Sequence, residues 1–490
     1  MHRDEGHSIR RKAQRTSAKA QDSYSDQSVV GVSGGQTSQC VVSTPAESAG
    51  FNLLAYDARI AAIASTIPGV LYGDFETTSC DLFLAVYTCY GLSTRAPGGV
   101  MHQLLPMLNQ TMLDSPLHQA VTAVATTFGV LLSKDGRNAS IPAKNYGRAV
   151  RGLRDAIVDT ERSRDDDLLM TALMLDFCDS INIHFRVDPA GTKRRHQHGA
   201  LALMQHRGSA NFRNDASKAM MVSLQMGVLQ EALHAKASVP DGCKSWFANP
   251  RMPHTPLTHL NGLTLQLADV LAMSRTFRVS RQQCDDSEEA SSILRELSEL
   301  DRELTMWYRE LPEDCLPLFL KGDDVPPSIR KAGAYQGICS VYKGLHVANM
   351  LNMWRGRRVM LLHELRELKL LLHGIQPGLQ TDEIEAVEDM IQWLADGICE
   401  SVPFHLGDYT DSVPPVPYSG LIFPSATNFS RTVPESRVDH ARHATGAGGW
   451  MLLGPLTNLC NYSTPHEGNR PIVLRKGQLQ WIQNQLRRLQ

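Results

Sequence analysis

The sequence predicts an all-α fold, a multi-helix array of packed antiparallel helices. Two observations lead to this prediction. Apolar residues recur at steps of three and four along most of the 490 residues, which places them on one face of successive helices. No segment alternates apolar and polar residues as a half-buried strand does, and no fixed-period repeat or sustained heptad occurs. We expect one large helical domain over residues 51–490, preceded by an arm.

Residues 1–50 are predicted to form a disordered arm. They contain a single aromatic residue, Tyr24, and many Ser, Gln and Gly residues. Such a composition buries too little apolar surface to offset the entropy lost on folding. A basic cluster in this arm is a candidate for nuclear import or for contacts with DNA phosphates, and a merely solvated charge cluster is the alternative. Its members are Arg10, Arg11, Lys12 and Arg15.

Two apolar stretches, 58–66 and 80–92, are predicted to be the first helices, and a block of four helical segments follows. Ser115 is expected to cap the first helix of that block, because its hydroxyl can accept from a free backbone N–H. Ser163 and Asp166 are interpreted as the capping box of a largely apolar, central helix. The apolar positions that define the other three segments include Leu117, Val121, Val124, Phe128, Leu131, Tyr146, Val150, Leu153, Ile157, Met221, Leu224, Val228 and Leu233.

The second half of the chain repeats the helical pattern. Helices are predicted over 260–271, 293–311, 384–398 and 479–489 from their apolar stripes. The segment from about 330 to 372 is interpreted as one kinked helix or two, since glycines interrupt it at 333, 337, 344 and 356. Residues 402–447 contain six prolines and little periodicity, and they are predicted to form a long loop.

Several short motifs occur in order along the chain. Tyr146 begins Y-x-x-A-V-x-x-L, the acid-capped apolar helix follows, and residues 198–208 read H-G-A-L-A-L-M-Q-H-R-G. Later motifs are Asn352 with Arg355 and Arg358, SVPFHLG at 401–407, and GGWMLLGPLTNL at 448–459. This collinear order resembles the regulatory (middle homology) domain of fungal zinc-cluster transcription factors. One motif departs from the family, which usually has Trp-Pro-Leu where this chain has Gly454-Pro455-Leu456.

The resemblance implies an all-helical domain that governs activity through intramolecular contacts, protein partners or small effectors, while DNA contact and dimerisation lie elsewhere. It marks a set of positions as structural or regulatory. These positions are Tyr146, His198, Arg207, Gly208, Asn352, Arg355 and Arg358. The leading hypothesis is therefore a transcription regulator of a metabolic or secondary-metabolite gene set, and not an enzyme. Its expected partners are other transcription-regulatory proteins, with a second copy of the chain as a further candidate.

The zinc cluster of that family is not found in this sequence. Six thiolates at close spacing are needed to hold two zinc ions, but the ten cysteines are scattered and no C-x-x-C occurs. We expect no metal and no cofactor. The segment from Arg10 to Lys19 resembles the linker that usually follows the cluster. The DNA-binding module is thus either dispensable, or lost because the recorded start lies downstream of the true one.

An enzyme is the alternative from another class. Asp285, Asp286 and Glu289 form D-D-x-x-E, the string that binds magnesium in all-helical terpene synthases. The facing N-D-x-x-S-x-x-x-E triad is not found, which favours a solvated charge run at a helix start. A helical interaction scaffold is a third hypothesis. The observation that separates the first two is whether these carboxylates face a cavity or solvent.

Two further groups have a ligand-binding and a structural interpretation. His196, His198 and His206 have imidazoles that suit zinc or copper, but 196 and 198 are predicted to lie on different helix faces, which favours structural roles. In that interpretation His198 fixes the helix start and Arg207-Gly208 its end. Arg355 and Arg358, one turn apart, are either an anion grip or arginines that snorkel to solvent.

Charge and hydropathy bound the location and the partners. The chain has 49 basic and 51 acidic residues, a net charge of −2, which argues against a globally basic DNA binder. DNA is therefore expected as a partner only indirectly, or through the missing N-terminal module. The first residues have no apolar h-region, and no apolar run reaches the roughly eighteen residues of a membrane span. The expected location is the nucleus, with the cytoplasm as alternative.

Overall fold

The all-α class is confirmed by a computed structural model of the chain. The arm at 1–50, its basic cluster, the stretch 58–66 and most of the predicted loop at 402–447 lie outside the residues that this structure describes. The described residues are 74–87, 99–133, 138–184, 195–280, 287–325, 334–342, 344–375, 381–406, 447–465 and 470–489.

The helices follow the predicted apolar stripes. In the first half they are α1 (Phe75–Tyr87), α2 (Val100–Leu108), α3 (Pro116–Ser133), α4 (Ser140–Ile157), α5 (Asp166–His184), α6 (Arg195–Arg207), α7 (Asp215–Ala235) and the short α8 (Asp241–Lys244). In the second half they are α9 (Pro256–Ser280), α10 (Ser287–Arg309), α11 (Leu345–Ile375), α12 (Thr381–Leu406), α13 (Gly449–Ser463) and α14 (Gln478–Leu489).

Neighbouring helices along the chain pack on each other. In the first half α3 lies against α1, α4 and α5, and α5, whose apolar residues are buried on most sides, is central as predicted. In the second half α9, α10, α11 and α12 pack each on the next. One hydrophobic core includes residues from both halves, from Phe83 to Ile482. The Trp354 ring lies fully buried in it, stacked on Tyr308 with ring centroids 4.5 Å apart.

Helix starts and ends agree only in part with the prediction. The Ser115 hydroxyl accepts from the His118 amide at 3.4 Å, so this predicted cap is confirmed. The capping box of α5 is wrong. The Ser163 hydroxyl is buried and donates to the Thr160 carbonyl at 2.7 Å, while the Asp166 carboxylate binds side chains of other helices. The Ser163 hydroxyl and the Asp166 carboxylate are therefore engaged in other contacts, and neither makes its half of the predicted capping box.

A two-stranded antiparallel sheet, β1 (Leu318–Lys321) and β2 (Ile338–Val341), is the one departure from helix that the sequence did not predict among these residues. It pairs Leu318 with Val341 and Lys321 with Ile338. The predicted helix from about 330 is therefore wrong before Leu345. Gly337 has φ of +66°, a backbone conformation that ends a helix and that glycine adopts without strain.

The predicted start of the loop at residue 402 is wrong by several residues. Helix α12 continues through Pro403 to Leu406, because Val402 and Phe404 are buried and their packing outweighs the hydrogen bond that proline cannot make. The chain returns to the body at Gly448. A Cβ on Gly448 would lie 1.8 Å from the His405 carbonyl oxygen, so the start of α13 touches the end of α12 backbone to backbone.

None of the helices described has both the length and the apolar composition of a membrane-crossing segment.

Candidate functional site

The motif at 198–208 ends in a polar cluster that we call the Asp166 cluster: the buried Arg207, Asn211 and Ser217, the partly buried Asp166 and the exposed Asn214. Arg207 forms an ion pair with Asp166 through Nη2 and donates from Nη1 to the Asp165 carbonyl at 2.6 Å. The Asp166 carboxylate also accepts from Asn214 Nδ2 at 2.8 Å and from Ser217 Oγ at 2.7 Å. The start of α5, the end of α6 and the start of α7 are thereby joined.

The Asp166 cluster keeps its carboxylate ionised. Burial by itself raises the pKa of Asp166, but hydrogen bonds from Asn214, Ser217 and Arg207 and the guanidinium charge outweigh it, and the pKa is lowered. The Asn214 side chain also accepts from the Ser217 amide at 2.8 Å, which caps α7. Asn214 therefore caps α7 and at the same time contacts the start of α5.

Gly208 lets Arg207 turn inward. Its φ is +53°, and it begins a short 3-10 turn, Gly208–Phe212, that follows α6 directly. The turn brings the Asn211 side chain back toward α6. Its Oδ1 accepts from Arg207 Nε at 2.9 Å, and its Nδ2 donates to the Met204 backbone carbonyl at 2.7 Å. The predicted role of Arg207-Gly208 at the helix end thus agrees with the geometry.

The other motif residues of the first half separate into a buried contact and an exposed one. The Tyr146 hydroxyl donates to Asp179 Oδ1 at 2.8 Å and lies 2.7 Å from His196 Nε2. Because the phenol hydrogen is given to the carboxylate, we assign the hydrogen of that second contact to His196 Nε2. This chain of contacts joins α4, α5 and α6. His198 points away from it and is exposed, 3.8 Å from Glu231.

The histidines do not converge. His196 contacts Tyr146, His198 lies near Glu231, and His206 Nε2 lies 2.9 Å from the Ser163 hydroxyl. In the part of the chain that the structure describes, no group of three His, Cys, Asp or Glu side chains could hold a metal ion. The predicted separation of 196 and 198 on different faces is confirmed.

The motif residues of α11 are buried, so the interpretation of Arg355 and Arg358 as snorkelling arginines is wrong. Arg358 is fully buried and makes a bidentate pair with Asp301, with Nε–Oδ1 at 2.6 Å and Nη2–Oδ2 at 3.0 Å. Arg355 donates to Asn352 Oδ1 at 2.7 Å and to the Tyr342 hydroxyl at 3.0 Å. Planar guanidinium groups suit such two-point contacts in a core.

Asn352 completes this contact. Its amide donates to the Ser401 hydroxyl on α12 at 2.8 Å, in the motif at 401–407. Two sequence motifs whose hydrogen-bonded residues lie 49 positions apart in the chain therefore meet in the core. Burial raises the pKa of the Tyr342 phenol, and this effect outweighs the charge of Arg355, which acts to lower that pKa. The phenol is therefore a neutral hydrogen-bond partner.

Sequence reasoning missed a cluster around Glu364, which we call the Glu364 cluster: Glu364, Lys236, Ser274 and Arg278. The buried carboxylate accepts from Lys236 Nζ at 2.9 Å, Ser274 Oγ at 2.7 Å and Arg278 Nε at 2.9 Å. Burial alone would raise the pKa of Glu364, but the charges of Lys236 and Arg278 outweigh it and lower the pKa to about 2. The cluster joins α7, α9 and α11.

A cleft of about 580 Å³ opens beside this cluster, and Lys236 and Arg275 make it cationic. Lys236 has φ of +44°, and its backbone amide donates to the Leu233 carbonyl at the end of α7. The cleft is lined by Lys236, Ala237, Ser238, Ala272, Arg275, Thr276, Val279 and Ser280.

A second missed cluster surrounds the buried Asp396 of α12. Its carboxylate accepts from Arg475 Nη2 at 2.9 Å, from Gln392 Nε2 at 2.7 Å and from Gln478 Nε2 at 3.3 Å. The start of α14 is thereby attached to α12. For both missed carboxylates the available signal was a charged residue on an otherwise apolar helix face, but the partners lie too far along the chain to be paired by spacing.

The carboxylates of the enzyme hypothesis are only partly visible. Glu289 lies in the first turn of α10 and is exposed to solvent. Asp285 and Asp286 lie outside the described residues. An exposed Glu289 favours the solvated charge run, since a metal clamp requires its carboxylates to converge on an enclosed site.

The fold and its clusters define a class, an all-α protein whose polar motif residues hold helices together. The chain matches the fungal specific transcription factor domain over residues 75–343, which is more than half of its length, and it belongs to that family. The resemblance predicted from Tyr146 and the 198–208 motif is confirmed, whereas the motifs at 352–358, 401–407 and 448–459 lie beyond the matched range. No curated protein and no solved structure matches the chain.

Proposed function

We propose that this chain is a nuclear transcription regulator that controls a metabolic or secondary-metabolite gene set and does not catalyse a reaction. The family match over residues 75–343 carries the proposal. The geometry supports it, because the motif side chains of the described core bind one another across helices. Sequence-specific DNA contact is proposed to come from a partner or from a module outside this sequence.

The basic cluster Arg10, Arg11, Lys12 and Arg15 is proposed to bring the chain to the nucleus or to contact phosphates. Four cations within six residues are the composition that import receptors and phosphate backbones bind. A fluorescent fusion in which all four are replaced by Ala is expected to lose nuclear enrichment. The same fusion with Gln14, Thr16, Ser17 and Gln21 replaced by Ala is the matched control.

The regulatory role is tested by transcript profiling of a strain that lacks the gene and of strains that carry single variants. Deletion is expected to change a small set of transcripts. Arg207→Ala is expected to reproduce the deletion, because it removes the buried guanidinium that pairs with the partly buried Asp166 carboxylate. Arg213→Ala is the matched control, since Arg213 lies 3.5 Å from the same carboxylate but is half exposed.

An unchanged transcriptome after deletion would refute the proposal. Turnover of a prenyl diphosphate by the purified chain with magnesium would replace it with the enzyme hypothesis. Both measurements are needed, because an inactive preparation alone does not establish a regulator.

A further inference from the structure

The outer face of α4 carries a row of cations that the buried clusters do not use. Lys144, Arg148, Arg151 and Arg154 are all exposed, and we call them the basic stripe. A rotation of about 100° per residue places the first three nearly in line, and ten residues of helix rise about 15 Å. One carboxylate lies among them, Asp155, 3.4 Å from Arg154 and equally exposed.

The buried side of α4 does not neutralise the stripe. Asn145 points inward and donates to Glu76 Oε1 at 2.9 Å, which is the acidic contact from α1. Tyr146 points toward Asp179 on α5. The outer face therefore keeps four positive charges against the single negative charge of Asp155.

An apolar tip adjoins the end of the stripe. Met112, Leu113, Ile157 and Val158 make up half of the eight large hydrophobic side chains that are exposed among the described residues. Val158 is 80% exposed, and it follows Arg151 by seven residues, which places it on the same helix face. Its backbone is still helical, with φ of −65° and ψ of −32°.

The two pairs of apolar residues lie at one end of the α3–α4 hairpin. A Cβ on Gly152 would lie 3.4 Å from Pro116 Cγ, so the last turns of α4 pack against the start of α3. Met112 and Leu113 lie four and three residues before that start, Ile157 is the last residue of α4, and Val158 follows it. Apolar side chains of this size, gathered on a monomer's surface, mark interaction sites.

A partner must satisfy both halves of this surface. A DNA backbone would satisfy the cations but would gain nothing from the apolar tip, since its phosphates and sugars are polar. A peptide that carries both carboxylates and large apolar side chains satisfies both at once. We propose that the basic stripe and the apolar tip together bind an acidic, apolar-rich segment of a partner protein. This inference rests on the proposed function for its biological setting, but its test uses purified protein only.

Fluorescence anisotropy with the full chain tests the proposal. The probe is a labelled peptide of about 20 residues, or roughly 30 Å as a helix, with Leu and Phe at steps of three and four and Asp and Glu between them. One control peptide replaces Asp and Glu by Asn and Gln, and a second replaces Leu and Phe by Ser. A labelled duplex of random sequence is the nucleic-acid arm.

Arg148→Glu with Arg151→Glu is expected to weaken peptide binding about tenfold or more, and the effect should shrink as salt screens exposed charges. Leu113→Ser with Val158→Ser is expected to weaken it about fivefold, because apolar burial is lost. Arg295→Glu with Arg302→Glu makes the same charge change on the exposed face of α10 and is expected to leave binding within about twofold. All substituted side chains are exposed, and circular dichroism checks that the helices remain.

Three results would overturn the inference. The acidic peptide does not bind the folded wild-type chain, or the α10 control variant loses as much affinity as the stripe variant. The third is that the wild-type chain binds the duplex but not the peptide, and that the stripe variant no longer binds the duplex. That result would make α4 a phosphate-binding surface. None of these results alters the transcript test, so this inference and the proposed function fail separately.

Discussion

Arg357 and Arg358 are neighbours on α11 with opposite surroundings. Arg358 makes its two-point contact with Asp301. Arg357 is also buried, but its Nη1 has no hydrogen-bond partner in the described structure, and burial alone lowers its pKa to about 9. Removing a paired buried charge leaves the charge of its partner uncompensated. Removing an unpaired buried charge eliminates only the desolvation cost of that charge.

We therefore expect the two arginines to respond in opposite directions to the same substitution. Arg358→Met should lower the free energy of unfolding by about 3–5 kcal/mol, because it leaves the Asp301 charge buried alone. Arg357→Met should raise it by about 1–4 kcal/mol, since a hydrophobic side chain of similar volume replaces a desolvated cation. Urea midpoints of the two variants and wild type measure this. Destabilisation of equal size in both would contradict the assignment.

The Glu364 cluster predicts an acid-sensitive contribution to stability. The pKa of Glu364 in the folded chain, about 2, lies below its ordinary value of 4.5. The carboxylate therefore contributes stability fully above pH 4.5, and that contribution is lost as the pH falls toward 2. The shift corresponds to about 3 kcal/mol.

Glu364→Gln should remove this part of the pH dependence. The difference in unfolding free energy between wild type and the variant is expected to be largest near neutral pH and to shrink below pH 4.5. Urea midpoints across that range measure it. Glu289→Gln, at an exposed carboxylate, is the control and should show no such trend. A wild-type advantage that persists unchanged at pH 3 would argue against the low pKa.

Among the elements, periodic apolar stripes predicted what depends on local pattern. The stripe from Ile384 to Ile398 predicted α12, and Leu117 to Leu131 predicted α3. The four-residue strands β1 and β2 are too short to show alternation, and their pairing depends on residues some twenty positions apart. The extension of α12 through Pro403 depends on burial of Phe404, which no local rule reveals.

The candidate site follows the same division. The 198–208 motif located Arg207 and Gly208, because a glycine after a basic last turn indicates a helix end. Its partner Asp166 was assigned to a local cap, whereas it binds across 41 residues. Glu364 and Lys236 are 128 residues apart, and their pairing follows only from the packed fold.

The end of α6 offers a test within one helix. Gly208 has φ of +53° and Gly199 is helical, and a Cβ at either position would meet nothing within 4 Å. Gly208→Ala is expected to lower the free energy of unfolding by about 1 kcal/mol, because alanine is strained in the left-handed backbone conformation of this position. Gly199→Ala is expected to raise the free energy of unfolding by about 0.5–1 kcal/mol, because alanine restricts the unfolded chain and favours the helix. Thermal midpoints that move in the same direction would contradict this account of the helix end.

For the whole molecule, balanced charge limits what the chain does with DNA alone. With 49 basic and 51 acidic residues, no global field attracts a duplex, and phosphate contacts from the basic cluster of the arm carry no choice of sequence. We expect no selective binding to a promoter element at physiological salt. Gel shifts of the purified chain with competitor DNA measure this.

A chain without residues 1–50 is the control in that experiment. Weak binding that disappears with the arm, or with higher salt, agrees with nonspecific phosphate contacts. Tight binding to one element that survives the deletion would mean that the helical body reads base edges, and the proposed division between regulation and DNA contact would be wrong.

The backbone contact between Gly448 and His405 fixes the two points where the chain leaves and rejoins the helical body. Residues 407–446 therefore connect ends that already touch, and each doubling of a connection of this kind costs only about 0.6 kcal/mol. Sequence inserted here is therefore expected to leave α12, α13 and α14 in place.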